Sequence, residues 1–320
     1  MSASAILCGL AAELGDILPI SDLAGPAPHH EQISELEEMG LRTFSCMVEG
    51  VLDAVTRCVA STLDSAQLLP QEIKAVMFVT EAFTALSDSC PHGGESLIRF
   101  HRNALADAVA AAGVVNVPTF CSTYGGSSNL LQGIFLIKHV VEFTKCTPVL
   151  VVCVDRVPPG TARWMDSAVA LTGDGVASCI LTAGPVDTKP ALKIEHVGII
   201  PYATAGAGND WSRLIVEMYR ATKYAAADCY EALGLHPNDY AWLIAGNYNL
   251  KTSQVFTRLL GFDDDRTFTA NVALTGHLPS ADPLLNLRDL TRLYSPTEGA
   301  RILVYCNGPI SCGVLSFLVV

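Results

Sequence analysis

The sequence predicts an α/β protein of two similarly ordered halves, and three observations carry that expectation. Runs of Val, Ile and Leu alternate with segments of helical period along the whole chain. The strongest run, at 148–155, is apolar at nearly every position, as strands buried on both faces are. The order of elements then repeats. A long helix followed by a buried strand occurs twice, ending at 73–80 and at 241–246, and the strand at 148–155 has a counterpart at 301–305.

Taken in order, a first strand falls at 5–10 and a helix, with apolar residues at helical spacing, at 41–64. A buried strand follows at 73–80. The polar, histidine-containing stretch 87–101 leads into an alanine-rich helix that stops at Gly113. Residues 115–120 are strand-like, 129–144 helical, 148–155 strand and 177–181 strand. The second half reads as strand 192–202, helix 211–233, strand 241–246, helix 253–260, strand 268–272, helix 283–293, and strands 301–305 and 313–319. Such alternation predicts mostly parallel central strands. Asp187-Thr-Lys-Pro190 is the expected boundary, dividing the chain into halves 1–186 and 187–320.

Composition excludes several classes of function. At 320 residues, 50% hydrophobic and 16% charged, the chain can bury a large core. The mean hydropathy of +0.35 is high. Yet no apolar run reaches the roughly 18 to 20 residues that a spanning helix needs. The first residues lack the positive region of a secretory signal, and the flank of Cys8 does not support lipid attachment. The 11 cysteines are odd in number, irregularly spaced and set in apolar strands, as reduced thiols of a cytoplasmic protein are. No CxxC pair is present, which disfavours structural zinc. A net charge of −12 argues against nucleic acid, and an acidic partner would need a local basic patch.

Candidate chemistry begins with Cys121, in Val117-Pro-Thr-Phe-Cys121-Ser-Thr-Tyr-Gly-Gly-Ser-Ser-Asn129. The expected strand-to-helix turn would place its thiol at a helix N-terminus, where the thiolate nucleophile is favoured. Far downstream, Gly276-His277-Leu-Pro-Ser-Ala-Asp282 offers a base and a carboxylate. Gly173-Asp174-Gly175 reads as a tight turn, with Asp174 capping nearby N–H groups. His29, His30 and His92 lack metal-like spacing with acids. Gly125-Gly126 is no phosphate loop, since no Gly-Lys-Ser/Thr follows.

Together these segments make the chain resemble the thiolase-fold condensing enzymes, in particular the β-ketoacyl-acyl-carrier-protein synthase III family. The resemblance rests on the Cys121 turn, Gly173-Asp174-Gly175, the run from Trp242 through Gly246-Asn247-Tyr248-Asn249 to Lys251, the Gly276 segment and the closing strand pair. It implies a thiolase-like fold, two pseudo-duplicated halves forming a five-layered αβαβα core. Condensing members use Cys, His and Asn. Here Gly246 stands where their His-Gln-Ala-Asn stretch begins, and His277 stands where their Asn falls. The pair that stabilises a decarboxylated enolate is therefore missing.

What remains resembles the synthase III-like acyltransferases with a Cys-His-Asp triad. The resemblance implies transfer of an acyl group through a Cys121 acyl-enzyme to a hydroxyl or amine of a small acceptor in natural-product biosynthesis, such as a polyketide pathway. His277 would be the base and Asp282 its orienting carboxylate. Asp282 precedes Pro283, so a plain helix-cap role stands as its alternative. Backbone N–H groups of Cys121 and Gly308 would form the oxyanion hole. Asn247 and Asn249 either line the site or settle a strand-end turn. Lys251, Arg258, Arg213, Arg220 and Lys223 would dock an acidic acyl carrier protein, or are ordinary solvated helix faces. No bound cofactor or metal is implied; the phosphopantetheine thioester belongs to the donor, carrier protein or CoA. A homodimer is expected. The alternatives are a decarboxylative condensing enzyme and a non-catalytic partner subunit of one.

Overall fold

The computed structural model describes residues 4–23, 30–48, 50–80, 97–123, 125–144, 146–158, 160–165, 169–184, 186–202 and 211–320. The N-terminal half contains β1 (Ala5–Leu14), β2 (Asp16–Pro19), α1 (His30–Glu38), β3 (Thr43–Cys46), α2 (Val51–Ala66), β4 (Ala75–Val79), α3 (Leu97–Ala111), β5 (Thr119–Ser122), α4 (Asn129–Phe143), β6 (Val149–Asp155) and β7 (Gly175–Ala183). The C-terminal half contains β8 (Leu192–Pro201), α5 (Trp211–Leu233), β9 (Trp242–Ile244), α6 (Leu250–Leu259), β10 (Thr267–Phe268), α7 (Asp282–Tyr294), β11 (Arg301–Asn307) and β12 (Ser311–Val319).

The main sheet runs β10-β9-β11-β12-β8-β1-β7-β6-β4-β5, which is a palindrome of two five-stranded halves. β5, β4, β6, β7 and β1 correspond in turn to β10, β9, β11, β12 and β8. Only Ile6 and Leu7 of β1 pair across to β8 at Lys193 and Leu192. The repeat seen in the order of elements is thus a repeat of topology.

Burial resolves five layers. Leu130, Leu131, Ile134 and Ile137 of α4 and Leu284, Leu285, Leu287 and Leu290 of α7 share one core with strands of both halves. This core is the middle helical layer. On the outer face of the N-terminal sheet, α2 and α3 pack through Val55, Val59, Leu105 and Val109 onto Val76, Leu150 and Val152. On the outer face of the C-terminal sheet, α5 and α6 pack through Ala225, Cys229 and Phe256 onto Leu243, Leu303 and Tyr305. Strands sandwiched in this way must be apolar on both faces, which explains the fully buried β4 and β6.

Four expectations need correction. The central strands are mixed: β4 runs parallel to β5 and β6, and β9 to β10 and β11, but the other neighbours are antiparallel. β11 and β12 show why, since three residues join them and a parallel pair needs a crossover of a dozen or more. The expected helix 41–64 begins only at Val51. Thr43–Cys46 instead pairs with β2, and Gly50, at a φ of 74°, turns the chain into α2. The strand expected at 115–120 is shifted to Thr119–Ser122, where Phe78 is the parallel partner of Cys121. The strand expected at 268–272 shrinks to the two residues of β10.

One polar contact ties the halves together near the site. Asp155, at the end of β6, is buried and accepts the N–H groups of Ser280 and Ala281 at the start of α7, both at 2.8 Å. Burial raises its pKa to about 7, the two N–H bonds partly offsetting that rise. An unfolded aspartate titrates near about 4, so between pH about 4 and 7 the folded chain holds a proton that the unfolded chain has released. The stabilisation from Asp155 is therefore full below that window and is lost as pH rises through it. Thermal melts across pH 4 to 8 should show this slope, and Asp155→Asn should flatten it while keeping both N–H acceptor contacts; a slope equal to that of the wild type would contradict this.

Candidate active site

The two connections that meet at the site are equivalents in the two halves, β5 to α4 and β10 to α7. After β5, residues 126–128 form one 3-10 turn leading into α4 at Asn129. Its shape is held by short side-chain bonds. Asn129 Oδ1 accepts the Gly125 N–H at 2.7 Å, and Ser128 Oγ donates to the Gly125 carbonyl at 2.6 Å. Ser128 also reaches Ser311 of β12 at 2.8 Å. The turn lies so close to the β11–β12 turn that a Cβ on Gly308 would sit 1.7 Å from the Gly125 carbonyl oxygen. A Cβ on Gly126, at a φ of 55°, would meet Pro309 at 2.3 Å. Only glycine fits at either place.

This turn presents Ser127. Its Oγ lies 2.7 Å from His277 Nε2. On the other side of the ring, His277 Nδ1 lies 2.5 Å from Asp282 Oδ2. Asp282 opens α7 and is fully buried, and its carboxylate takes three further hydrogen bonds. Oδ2 accepts the Asn247 N–H at 2.6 Å, while Oδ1 accepts Asn247 Nδ2 and the Leu278 N–H, each at 2.9 Å. With N–H donors on both oxygens, the carboxylate acts as acceptor throughout. Nδ1 of His277 therefore carries the proton and Nε2 offers its lone pair to the Ser127 hydroxyl. Hydroxyl, imidazole and carboxylate in series allow the ring to take the hydroxyl proton as the oxygen attacks a carbonyl. His277 is itself fixed by its backbone, whose N–H donates to the Leu171 carbonyl at 2.6 Å and whose carbonyl accepts the Gly173 N–H at 2.9 Å.

Cys121 is the main correction. It lies within β5, six residues before Ser127, and is exposed at the sheet edge rather than at the start of α4. Among the described residues it has no hydrogen-bond partner, and no cation lowers its pKa. Partial burial of the thiol pushes it up to about 11. The turn at the helix N-terminus carries Ser127 instead. The signal was present in Gly125-Gly126-Ser127-Ser128: two glycines that permit a tight turn, immediately before the helical period begins.

The remaining expected site residues divide. Gly308 does adjoin the turn that bears Ser127, but its N–H donates to the Ser311 carbonyl at 2.9 Å and is not an open oxyanion donor. Asn249 is the N-cap of α6, its side chain accepting the Thr252 N–H at 2.8 Å, so it settles a turn and does not line the site. Asn247 is buried behind Asp282, with its own Oδ1 accepting from Asn286 at 2.9 Å. It holds the carboxylate and does not face an acyl group. Asp282 is no helix cap, since Ala281 holds that position. Gly246 has a steric reason: a Cβ there would lie 2.9 Å from the Tyr248 ring and 3.1 Å from His277 Cε1. A histidine at 246 and the present placement of His277 and Tyr248 exclude each other.

Asp174 proves structural, as its turn suggested. It forms a two-point ion pair with Arg163 at 3.0 and 2.7 Å and accepts the N–H groups of Met47 and Val157. Lys251 and Arg258 are exposed on α6, and Arg213, Arg220 and Lys223 on α5, with Arg220 bonded to Glu217 at 2.9 Å. His29 and His92 lie outside the described residues. Among the described residues no group of His, Cys, Asp and Glu is placed to hold a metal ion, and no helix is long and apolar enough to cross a membrane.

No family model and no curated protein matches the sequence. Solved structures do match the fold over nearly the whole chain. The acyltransferase ChlB3 superposes with a TM-score of 0.76 at 16% identity, covering 99% of this chain and 98% of its own. The 3-oxoacyl-[acyl-carrier-protein] synthase III of Aquifex aeolicus VF5 gives 0.72 at 15% identity, covering 98% and 99%. AbyA1, a tetronic acid condensing enzyme, gives 0.69 at 15%, with the same coverage. The fold is that of the synthase III-like enzymes.

Asn247 supplies a test of this geometry. Asn247→Leu keeps the backbone N–H bond but removes one donor to the ionised carboxylate, an interaction worth about 1.5–3 kcal/mol. With the carboxylate held less firmly behind His277, kcat/KM against an activated ester should fall by about 10-fold or more. An unchanged kcat/KM in the folded variant would remove Asn247 from the site.

Proposed function

We propose that this protein is an acyltransferase whose acyl-enzyme is an ester of Ser127. The observation that carries the reading is the hydrogen-bonded series Ser127, His277 and Asp282 at the meeting of the two halves. The donor is a phosphopantetheine thioester, on an acyl carrier protein or CoA. The acceptor is a hydroxyl or amine of a small molecule in natural-product biosynthesis.

His277 Nε2 takes the Ser127 proton as Oγ attacks the thioester carbonyl. The C–S bond then breaks, and the thiol leaves with the proton held by His277. In the second half, His277 takes a proton from the acceptor, whose oxygen or nitrogen attacks the ester. Ser127 leaves with that proton. Each half returns His277 to its starting tautomer, so neither cofactor nor metal enters the balance.

Carbon–carbon bond formation is poorly served. Gly246 leaves no donor where condensing enzymes place a histidine, and an oxygen ester replaces the thioester that such a step draws on. ChlB3 is described as an acyltransferase, which agrees with this reading, whereas AbyA1 is a condensing enzyme. The exposed Lys251 and Arg258 on the helix that follows Asn247 support carrier-protein docking. We read the molecule as a cytoplasmic homodimer. The open edge of β5, with Phe120 exposed on it, and the exposed Phe135, Leu136 and Phe143 of α4 offer apolar surface for a second copy.

Intact-mass measurement after mixing with acyl-loaded carrier protein tests the nucleophile. Wild type and Cys121→Ala should gain one acyl group, and Ser127→Ala none; an adduct that survives in Ser127→Ala but not in Cys121→Ala would restore the thiol. His277→Ala should slow acylation by about 10²–10⁴-fold. Release of carbon dioxide from a malonyl donor would favour the condensing alternative. For docking, Lys251→Glu should raise KM for the carrier-bound donor and leave that for a p-nitrophenyl ester unchanged.

A further inference from the structure

Ser127 needs donors for the oxyanion that forms when its Oγ adds to a carbonyl, because an uncompensated alkoxide in a buried site is costly. The β11–β12 turn does not provide them. Gly308 N–H is bonded to Ser311, and Pro309 has no N–H at all. A different group stands beside the imidazole that holds the reacting oxygen. Tyr248 is 4% exposed, and its ring centroid lies 4.8 Å from that of His277. Its hydroxyl donates to the Asn307 carbonyl at 3.1 Å, so the phenol spans from the His277 ring, which holds Ser127, to the end of β11, whose following turn packs on the Ser127 turn. The ring lies over the Cα of Gly246, in space that any side chain at 246 would need.

Resting on the reading of Ser127 as nucleophile, we propose that the Tyr248 hydroxyl is a catalytic hydrogen-bond donor to the oxyanion of the tetrahedral intermediate. Two acceptors compete for this hydroxyl. At rest the hydroxyl faces a neutral peptide carbonyl through a long bond. When Ser127 Oγ bonds to the acyl carbon and its proton passes to His277, the former carbonyl oxygen becomes an anion near the same hydroxyl. A charge-assisted bond outweighs the neutral one, so Tyr248 binds the transition state more tightly than the ground state. Burial holds the phenol's pKa well above its usual range, so it keeps its proton and acts as donor and not as base. No proton is exchanged, and the balance of the transfer is unchanged. Gly246 gains a second meaning: the space freed by the missing histidine is occupied by the group that replaces the missing oxyanion donor.

Tyr248→Phe removes the hydroxyl and keeps the ring. With p-nitrophenyl butyrate, which needs no carrier protein, the pre-steady-state burst of p-nitrophenolate should slow by about 10²–10³-fold with KM within twofold. A trifluoromethyl ketone, which adds to a serine as a tetrahedral oxyanion, should bind weaker by a similar factor. A merely structural tyrosine would lower the melting temperature but leave ketone affinity in the folded fraction untouched, and that result overturns the proposal. Should Tyr248→Phe fail to fold, 3-fluorotyrosine at 248 keeps shape and hydroxyl. Its fluorine resonance should then shift when the ketone adds, and an unshifted signal also overturns it. Ser127→Ala run alongside separates the two readings, since a burst that persists there sinks the serine acyl-enzyme itself and not Tyr248 alone.

Discussion

The site depends on a single buried carboxylate. Asp282 is fully excluded from water, and an ion in that position is stable only when its lone pairs are filled. Four N–H groups fill them, from His277, from Leu278 and twice from Asn247. Those donors come from the loop after β9 and the loop after β10, and the carboxylate itself sits in the first turn of α7. Satisfying one charge therefore fixes three segments of the C-terminal half against one another, and the orientation of His277 follows. Asn286, bonded to both Asn247 and the Ala245 carbonyl, braces the arrangement from behind.

The N-terminal half meets this unit at contacts that tolerate no side chain. Gly125 touches Gly308, Gly126 touches Pro309, and Gly173 packs on the Thr275 carbonyl. Through these approaches the turn bearing Ser127 is set against His277 without any covalent or sequence proximity, 150 residues apart. Asp155 repeats the logic from the other side, its carboxyl accepting the N-terminal N–H groups of α7. The pseudo-symmetry gives the arrangement its economy. Equivalent strand-to-helix connections carry Ser127 in one half and His277 with its carboxylate partner in the other.

Much of this was legible in the residues. The fully apolar strands announced a sheet covered on both faces, and α5 lies at 211–233 as its period requires. His277 and Asp282 stood out through their spacing and prove to be bonded. Less legible was the residue that meets the imidazole. A cysteine draws attention by its chemistry, and Ser127, in a run of small polar residues, does not. Edge pairing of β5 carries Cys121 along the strand and delays the turn by six residues, a boundary that periodicity cannot resolve in so short a segment. Asn247 and Asn249 were indistinguishable by type, because the same amide can cap a helix or hold a carboxylate.

The sequence alone determined the α/β class, the paired halves, the buried strands and the presence of a base and an acid five residues apart. These follow from local periodicity and spacing, which neighbouring residues express by themselves. Tertiary structure alone decided which hydroxyl or thiol meets the imidazole, that Gly308 has no open N–H, and that Tyr248 occupies the space above Gly246. Each of those is set by contacts between segments distant in the chain. Cys121 and Ser127 differ by six positions in sequence, but only the close approach of glycine turns from the two halves gives one of them a base.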